Sequence, residues 1–175
     1  MYKIYKIFIL LVLLSFSLPT NAHVQHYKDL NSIEFDIFRN DKHIGTHIFS
    51  FKRTEQELLV SSVINFEVKK LGIVLYKYYA EGTEVYVKDK LIKFNSTTDQ
   101  NSKKKYVNII LKDNELYIDG SSFKGNVPSN YLIGTWWNHS IVEAQAQISA
   151  VSGRIINQKV KFLGKEKIKF GEKTY

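Results

Sequence analysis

LLVSSVINFEVK, residues 58–69, alternates apolar and polar side chains over most of its length. One face carries Leu58, Val60, Ile64, Phe66 and Val68, and the other carries Ser61, Asn65, Glu67 and Lys69. A period of two is typical of a β-strand with one buried face. Leu71 and Gly72 then interrupt the alternation, and a glycine at that point indicates a bulge or a sharp bend.

Short strands with similar patterns extend in both directions from this segment. The sequence predicts strands at 33–37, 43–52, 83–87, 91–98, 106–111 and 115–119, and a last hairpin of 159–162 with 166–170 around Gly164. No strand alternates with a long helix, which argues against a doubly wound fold. We therefore predict a mainly β fold, an antiparallel meander that forms a curved sheet or a β-barrel-like domain.

At most one short helix is expected, beginning at Ser140. Ser140 and Glu143 have the spacing of a capping box, in which each side chain satisfies a free backbone donor of the first turn. Alanines follow, and Gly153 is placed to terminate the helix.

The first 22 residues have the three parts of a secretory signal peptide. Lys3 and Lys6 supply positive charge, residues 7–14 are apolar, and small residues precede a cleavage site after Ala22. The apolar run is shorter than the roughly 20 residues that span a bilayer, so we expect cleavage rather than a membrane anchor. We expect residues 23–175 to form a single exported β-rich domain without a transmembrane segment, in the periplasm or outside the cell.

Composition excludes several classes of protein. The chain has no cysteine, so it forms no disulfide and carries no lipid on a cysteine. The net charge is +8, and loss of Lys3 and Lys6 with the signal lowers it by two. This basic balance suits an anionic envelope surface, or it serves solubility alone. No nucleic-acid-binding motif is present, and we expect no nucleic-acid partner.

Catalytic and metal-binding motifs are not found. His43 and His47 lie four apart in a predicted strand, roughly 13 Å from each other, which is too far to share an ion. Glu81 and Glu84 have an odd separation that puts them on opposite faces of a strand. We therefore expect no enzyme activity, no metal and no cofactor, although carboxylates from distant strands can meet in a cleft.

Aromatic residues are the candidates for a binding site. Tyr76 and Tyr78 follow the Gly72 break within residues 73–79, which are apolar on both faces and predict a central strand or a lip. Trp136 and Trp137 lie between Gly134 and Asn138. These four aromatic side chains either line a pocket for an apolar or lipid-like ligand or pack in the core.

The last lysines define a second candidate surface. Lys159, Lys161, Lys167 and Lys169 alternate with apolar residues and predict one basic face and one buried face. The leading hypothesis is an envelope protein that holds an apolar or lipid-like ligand. The alternative is a structural or interaction module that docks on another envelope component through an edge strand or this basic face.

Four segments in order carry a resemblance to a known family: residues 40–47 with Phe51, residues 68–76, residues 90–98 and residues 134–138. Together they resemble an uncharacterised family of exported proteobacterial β-rich proteins, known as a domain of unknown function. The resemblance covers most of residues 31–175 and implies a bacterial envelope location. It implies no activity, cofactor or catalytic residue. It also implies a further aromatic-rich hairpin beyond Tyr175, so a C-terminal truncation that leaves an unpaired edge strand is an expectation.

Overall fold

The computed structural model describes residues 29–174, and its main feature is one eight-stranded antiparallel sheet. Its strands, each paired with its neighbours in sequence, are β1 (Ser32–Arg39), β2 (Lys42–Arg53), β3 (Glu57–Lys70), β4 (Ile73–Val87), β5 (Lys90–Gln100), β6 (Lys103–Lys112), β7 (Glu115–Gly120) and β8 (Lys124–Pro128). The predicted meander is confirmed. Because β1 and β8 do not pair with each other, the sheet is open and not a closed barrel.

Tight turns connect five of the seven pairs of neighbouring strands. Both residues of each turn have a positive φ, and the pairs are Asn40-Asp41, Leu71-Gly72, Lys88-Asp89, Asn101-Ser102 and Asp113-Asn114. Two-residue turns of this kind match the right-handed twist of the strands that they join. The sharp bend expected at Leu71-Gly72 is therefore one of five similar turns.

The hairpin of β3 and β4 is longer than its neighbours in the sheet. Pairing of β2 with β3 ends at Phe66, and pairing of β5 with β4 begins at Tyr78. Residues 67–77 therefore form strand pairs only within the hairpin itself. The tip at Leu71 lies five residues beyond Phe66, roughly 16 Å at the rise of an extended strand.

One face of the sheet, called here the inner face, carries the hydrophobic core. Burying each of its large side chains contributes about 2 kcal/mol. The fully buried members from the sheet include Phe49, Val60, Phe94, Val107, Ile109, Leu116 and Ile118.

Residues 131–158, called here the covering segment, pack against part of the inner face. They contain β9 (Leu132–Ile133), β10 (Ala146–Ile148) and β11 (Ile155–Asn157), which form a small sheet in the order β11-β10-β9. Ile133 and Ile148 join the core of the large sheet. The covering segment seals the end of the sheet that lies opposite the Leu71-Gly72 turn.

The expectation of at most one short helix is confirmed, but the α-helix predicted from Ser140 onward does not form. Only a 3₁₀ turn, His139–Val142, forms there, and its cap is the side chain of Asn138, which accepts from the Ser140 amide at 3.0 Å. Residues after it continue as β10, because Ala146 and Ile148 on alternate positions are both buried. Tertiary burial with strand pairing outweighs the helix propensity of the alanines.

The last hairpin is also different from the prediction. Residues 158–168 form no strand, and the short strands β12 (Lys169–Phe170) and β13 (Lys173–Thr174) turn around Gly171 instead of Gly164. Phe162 and Ile168, expected on a buried face, are exposed. Alternation alone does not bury a face where no surface packs against it.

Across residues 29–174, no helix has the length and apolar character needed to cross a membrane.

Candidate functional site

Glu84 is a buried carboxyl group at the centre of the inner face. Strand β4 places it opposite Val60 of β3 and Phe94 of β5, and its side chain is 1% exposed. Its Oε1 accepts hydrogen bonds from the Thr135 hydroxyl and the Trp137 indole, both at 2.8 Å, while Oε2 accepts from the Tyr86 phenol. Two of the three donors belong to the covering segment, so Glu84 fastens that segment to the sheet.

The surroundings of Glu84 set its protonation. Burial raises its pKa above the ordinary value of 4.5, and the hydrogen bonds from Tyr86, Trp137 and Thr135 offset part of that rise. Burial also raises the pKa of the Tyr86 phenol, and the charge of Glu84 adds to the effect. The three hydrogen-bond donors to Glu84 are neutral groups, so no cation in these contacts stabilises its charged form.

The raised pKa predicts a dependence of stability on pH. A carboxyl group with a higher pKa in the folded chain stabilises the fold fully below about pH 4.5, and this contribution is lost as the pH rises through the folded-state pKa. We expect the free energy of unfolding of the wild type to fall over that window relative to Glu84→Gln, whose amide does not titrate. Urea unfolding of both proteins across the pH range measures it, and identical profiles would contradict the assignment.

A cavity of about 190 Å³ lies between the inner face and the covering segment. Its walls include His47, Tyr78 and Thr98 from the sheet and Thr135 and Trp136 from the covering segment. It opens at the boundary between the covered part of the inner face and the part that nothing covers. The cavity is large enough for a small apolar group, since an engineered cavity of ~150 Å³ in another protein binds benzene.

The Thr98 hydroxyl is an unsatisfied group in the wall of this cavity. Thr98 is 3% exposed, and among the described residues its Oγ1 is the buried side-chain polar atom that lacks a hydrogen-bond partner. Burial raises the pKa of the neighbouring Tyr78 phenol, and the Thr98 hydroxyl, which can donate to the phenolate, offsets part of that rise. Buried polar groups are nearly always paired, so this hydroxyl is a candidate hydrogen-bonding group for a water molecule or a ligand atom in the cavity.

Aromatic side chains cover the inner face beyond the cavity. The Phe66 ring stacks on Tyr78 and Tyr76, with ring centroids 5.1 and 5.8 Å apart. The Tyr76 hydroxyl accepts from Gln100 Nε2 at 2.7 Å, which fixes its ring. Phe35 on β1 is half exposed on the same face. These rings form a rigid apolar platform that leads from the cavity toward the tip of the β3–β4 hairpin.

The four aromatic residues singled out in the sequence have different surroundings. Tyr78 and the largely exposed Trp136 line the cavity, and Tyr76 lies on the aromatic platform. Trp137 does not line the cavity but packs edge-on against Phe51 and Tyr86 and donates to Glu84. Tyr76, Tyr78 and Trp136 are thus brought to one region, and Trp137 stabilises the core beside it.

The histidines make separate local contacts. His43 Nε2 lies 3.1 Å from Asp36 Oδ1, and His47 Nε2 lies 3.0 Å from Ser62 Oγ in the cavity wall. Burial lowers the pKa of His47, which favours its neutral form. Within residues 29–174, no three His, Asp or Glu side chains are grouped so that they could hold a metal ion.

Two residues of this site, Glu84 and Thr98, are not among those that the sequence predicts. The register of β4 held a signal for the first, since Glu84 alternates with Gly82 and Tyr86 on the apolar face of the strand. Thr98 carries no comparable signal, because a threonine on a strand is ordinary. Its burial arises from the covering segment, which lies more than thirty residues further along the chain.

The fold and site define a class of protein: an open antiparallel meander with one end of its inner face sealed and the other end bare. A family model described as a domain of unknown function (DUF6134) matches residues 35–175. The chain belongs to this family, which confirms the expected membership of a family of unknown function. Neither a curated protein nor a solved structure matches the chain.

Proposed function

We propose that this protein is an exported, non-enzymatic envelope protein that binds a mainly apolar, lipid-like ligand on the uncovered part of its inner face. The observation that carries the proposal is the Thr98 hydroxyl, orphaned in a cavity that opens onto the aromatic platform. An apolar ligand with one hydrogen-bonding group meets both requirements, since ligand sites combine apolar walls with a few placed polar groups.

The volume of the cavity limits how much of the ligand it can enclose. A cavity of about 190 Å³ is smaller than the ~300 Å³ or more of sites that enclose a whole drug-sized molecule. The cavity therefore holds one end of the ligand, with its polar atom at Thr98. The remainder lies against Tyr78, Phe66 and Tyr76, whose stacked rings bury apolar area with little loss of conformational freedom.

A non-enzymatic role agrees with the hydrogen bonds that the buried carboxyl group of Glu84 accepts. Both oxygens of Glu84 accept hydrogen bonds, Oε1 from Thr135 and Trp137 of the covering segment and Oε2 from Tyr86 of β4, which favours a structural role over that of a general acid or base. Export rests on the pattern of residues 1–22, which lie outside the described residues. The mass of the protein isolated from its host tests export: a chain that begins at His23 supports it, and a retained Met1 contradicts it.

Thr98→Val is the variant that tests the ligand. Valine has nearly the shape of threonine without the hydroxyl, so the ligand-free protein should gain about 1 kcal/mol by losing a buried unpaired group. The bound ligand should lose a hydrogen bond, and its affinity should fall about tenfold. Chemical unfolding measures the first effect, and titration with a fluorescent fatty acid measures the second. Ser96→Ala serves as a control in the same wall, because the Ser96 hydroxyl already donates to the Ala150 carbonyl at 2.5 Å.

Mass spectrometry of an organic extract of the purified protein identifies the ligand. A stoichiometric amphipathic compound that is reduced in Thr98→Val supports the proposal. An empty extract together with a fatty-acid affinity that Thr98→Val leaves unchanged would refute it.

A further inference from the structure

The tip of the β3–β4 hairpin is an exposed apolar projection. Leu71 is 94% exposed, and Ile73, Leu75 and Val74 that follow it are 65%, 57% and 46% exposed. The tip extends beyond the pairing of β2 and β5, so no other strand of the sheet reaches it. A contiguous apolar patch of this kind on a protein surface marks a contact with a partner or a membrane.

The chemistry of the turn is unusual among the turns of this sheet. Five two-residue turns have positive φ at both positions, and in the other four every residue is polar or charged. Leu71 has φ +50°, a conformation that costs a leucine about 1 kcal/mol and that asparagine tolerates. Nothing in the fold compensates for this cost, because the Leu71 side chain is almost fully exposed. A contact outside the fold would account for a leucine at this position.

Lysines surround the base of the tip. The turns Asn40-Asp41 and Asn101-Ser102 lie at the same end of the sheet as Leu71-Gly72, because turns alternate between the ends of a meander. The Asn101 amide donates to the Lys77 carbonyl at 3.0 Å, which joins the last of these turns to the hairpin. Exposed lysines at this end are Lys42, Lys69, Lys70, Lys77, Lys103 and Lys104.

The acids at this end do not cancel the positive charge. Glu67 forms ion pairs with Lys69 at 2.9 Å and with Lys77 at 3.5 Å, and Asp99 accepts from the Ser102 amide. Asp41, beside Lys42 in its turn, and Asp36, 3.1 Å from His43, also lie at this end, where acids are fewer than the six exposed lysines. Lys70 and Lys103 remain directed to solvent, one beside the apolar tip and one beside the neighbouring turn. An apolar projection surrounded by lysines matches an anionic bilayer. The tip would insert among the lipids while the lysines contact lipid phosphates.

We infer that the β3–β4 hairpin docks this protein on the surface of an anionic membrane. A bilayer accepts a narrow convex tip, whereas a second copy of the chain would need a complementary flat surface of several hundred Å². The inference extends the proposed function, because the aromatic platform on the same hairpin then faces the bilayer that supplies or receives the ligand. Docking itself requires no ligand, so the two proposals fail separately.

Flotation with lipid vesicles tests the docking. The purified full-length protein is mixed with phosphatidylcholine vesicles, with and without phosphatidylglycerol, at low and high salt. We expect binding to the vesicles that contain phosphatidylglycerol, and we expect high salt to weaken it. Equal binding to both vesicles, or no binding to either, would overturn the inference.

Leu71→Asn separates docking from folding. Asparagine suits the positive φ, so thermal stability should stay equal or rise, while the partition onto anionic vesicles should fall about tenfold or more. Lys88→Asn is the matched control, since Lys88 occupies the same turn position at the opposite end of the sheet with φ +49°. It should bind within about twofold of the wild type, because its charge lies far from the docked surface.

A charge variant completes the test. Lys70→Gln with Lys103→Gln should weaken binding about fivefold for each lysine, at low salt only. A Leu71→Asn protein that binds vesicles like the wild type contradicts the inference. So does a concentration-dependent dimer of the wild type that Leu71→Asn abolishes, because it would assign the tip to contact between copies.

Discussion

Glu84→Ala is expected to destabilise the protein by more than about 3 kcal/mol. The substitution leaves the Tyr86 phenol, the Thr135 hydroxyl and the Trp137 indole without their acceptor. Each unsatisfied buried donor costs about 1–3 kcal/mol, and the lost side-chain volume adds a cavity. Urea unfolding measures the change, and a loss below about 1 kcal/mol would contradict the role given to Glu84.

The covering segment should be the part that responds most to Glu84→Ala. Thr135 and Trp137 both belong to it, so their release should loosen β9 and β10 before the large sheet. Hydrogen exchange at the Gly134 amide, which donates to the Ile148 carbonyl at 2.8 Å, reports on this contact. Glu81→Ala is the control on the same strand: Glu81 is exposed and accepts from Tyr79, so its loss should stay within about 0.5 kcal/mol.

Gly45→Ala is expected to cost about 3 kcal/mol, near the upper end for overpacking. A Cβ on Gly45 would lie 2.1 Å from the Asn65 carbonyl oxygen and 2.4 Å from Phe66 Cβ. Both contacts are with the backbone or the root of a side chain on β3, so the strands themselves must move apart. Because Phe66 belongs to the aromatic platform, ligand affinity should fall together with stability.

Gly82→Ala is the matched control for Gly45→Ala. Gly82 also lies inside a strand of the large sheet, but the nearest atoms to a Cβ there are 3.4 Å away, an ordinary contact. We expect its free energy of unfolding to stay within about 1 kcal/mol of the wild type. Equal losses for the two variants would show that the close approach at Gly45 does not limit stability.

Alternation along the chain predicts seven of the eight strands of the large sheet, and only β8 (Lys124–Pro128) is missing from the prediction. Ile33 and Phe66 each stand between two polar neighbours, and each lies on a predicted strand. Such patterns report a local property, the need of a strand to bury one face. One strand was divided incorrectly: residues 73–79 and 83–87, predicted as separate segments, form the continuous strand β4.

The errors arise where long-range packing decides the structure. Ser140 and Glu143 have the spacing of a capping box, yet β10 forms nearby because Ile148 reaches the core of the large sheet. Residues 159–170 alternate like a strand pair, but Val160, Phe162 and Ile168 on their apolar side are exposed. Local pattern does not contain the information about which surfaces are available.

The candidate site is also predicted only in part, because local pattern identifies its aromatic residues but long-range packing decides the rest. Tyr76 and Tyr78 were identified as large aromatics next to a chain reversal, and the structure places both on the uncovered inner face. Thr98 becomes a site residue only because the covering segment seals its neighbourhood. Trp137 packs against the core since the indole reaches Glu84, a pairing of residues far apart in the chain.

Photo-crosslinking maps the ligand most directly onto the structure. A fatty acid with a diazirine group on its chain is bound to the protein and irradiated, and the labelled peptides are sequenced by mass spectrometry. Labels on Phe66, Tyr76 or Tyr78 are the result expected if the uncovered inner face holds an apolar ligand. Labels confined to the outer face of the sheet, at residues such as Tyr106 or Ile110, or no label at all, would contradict it.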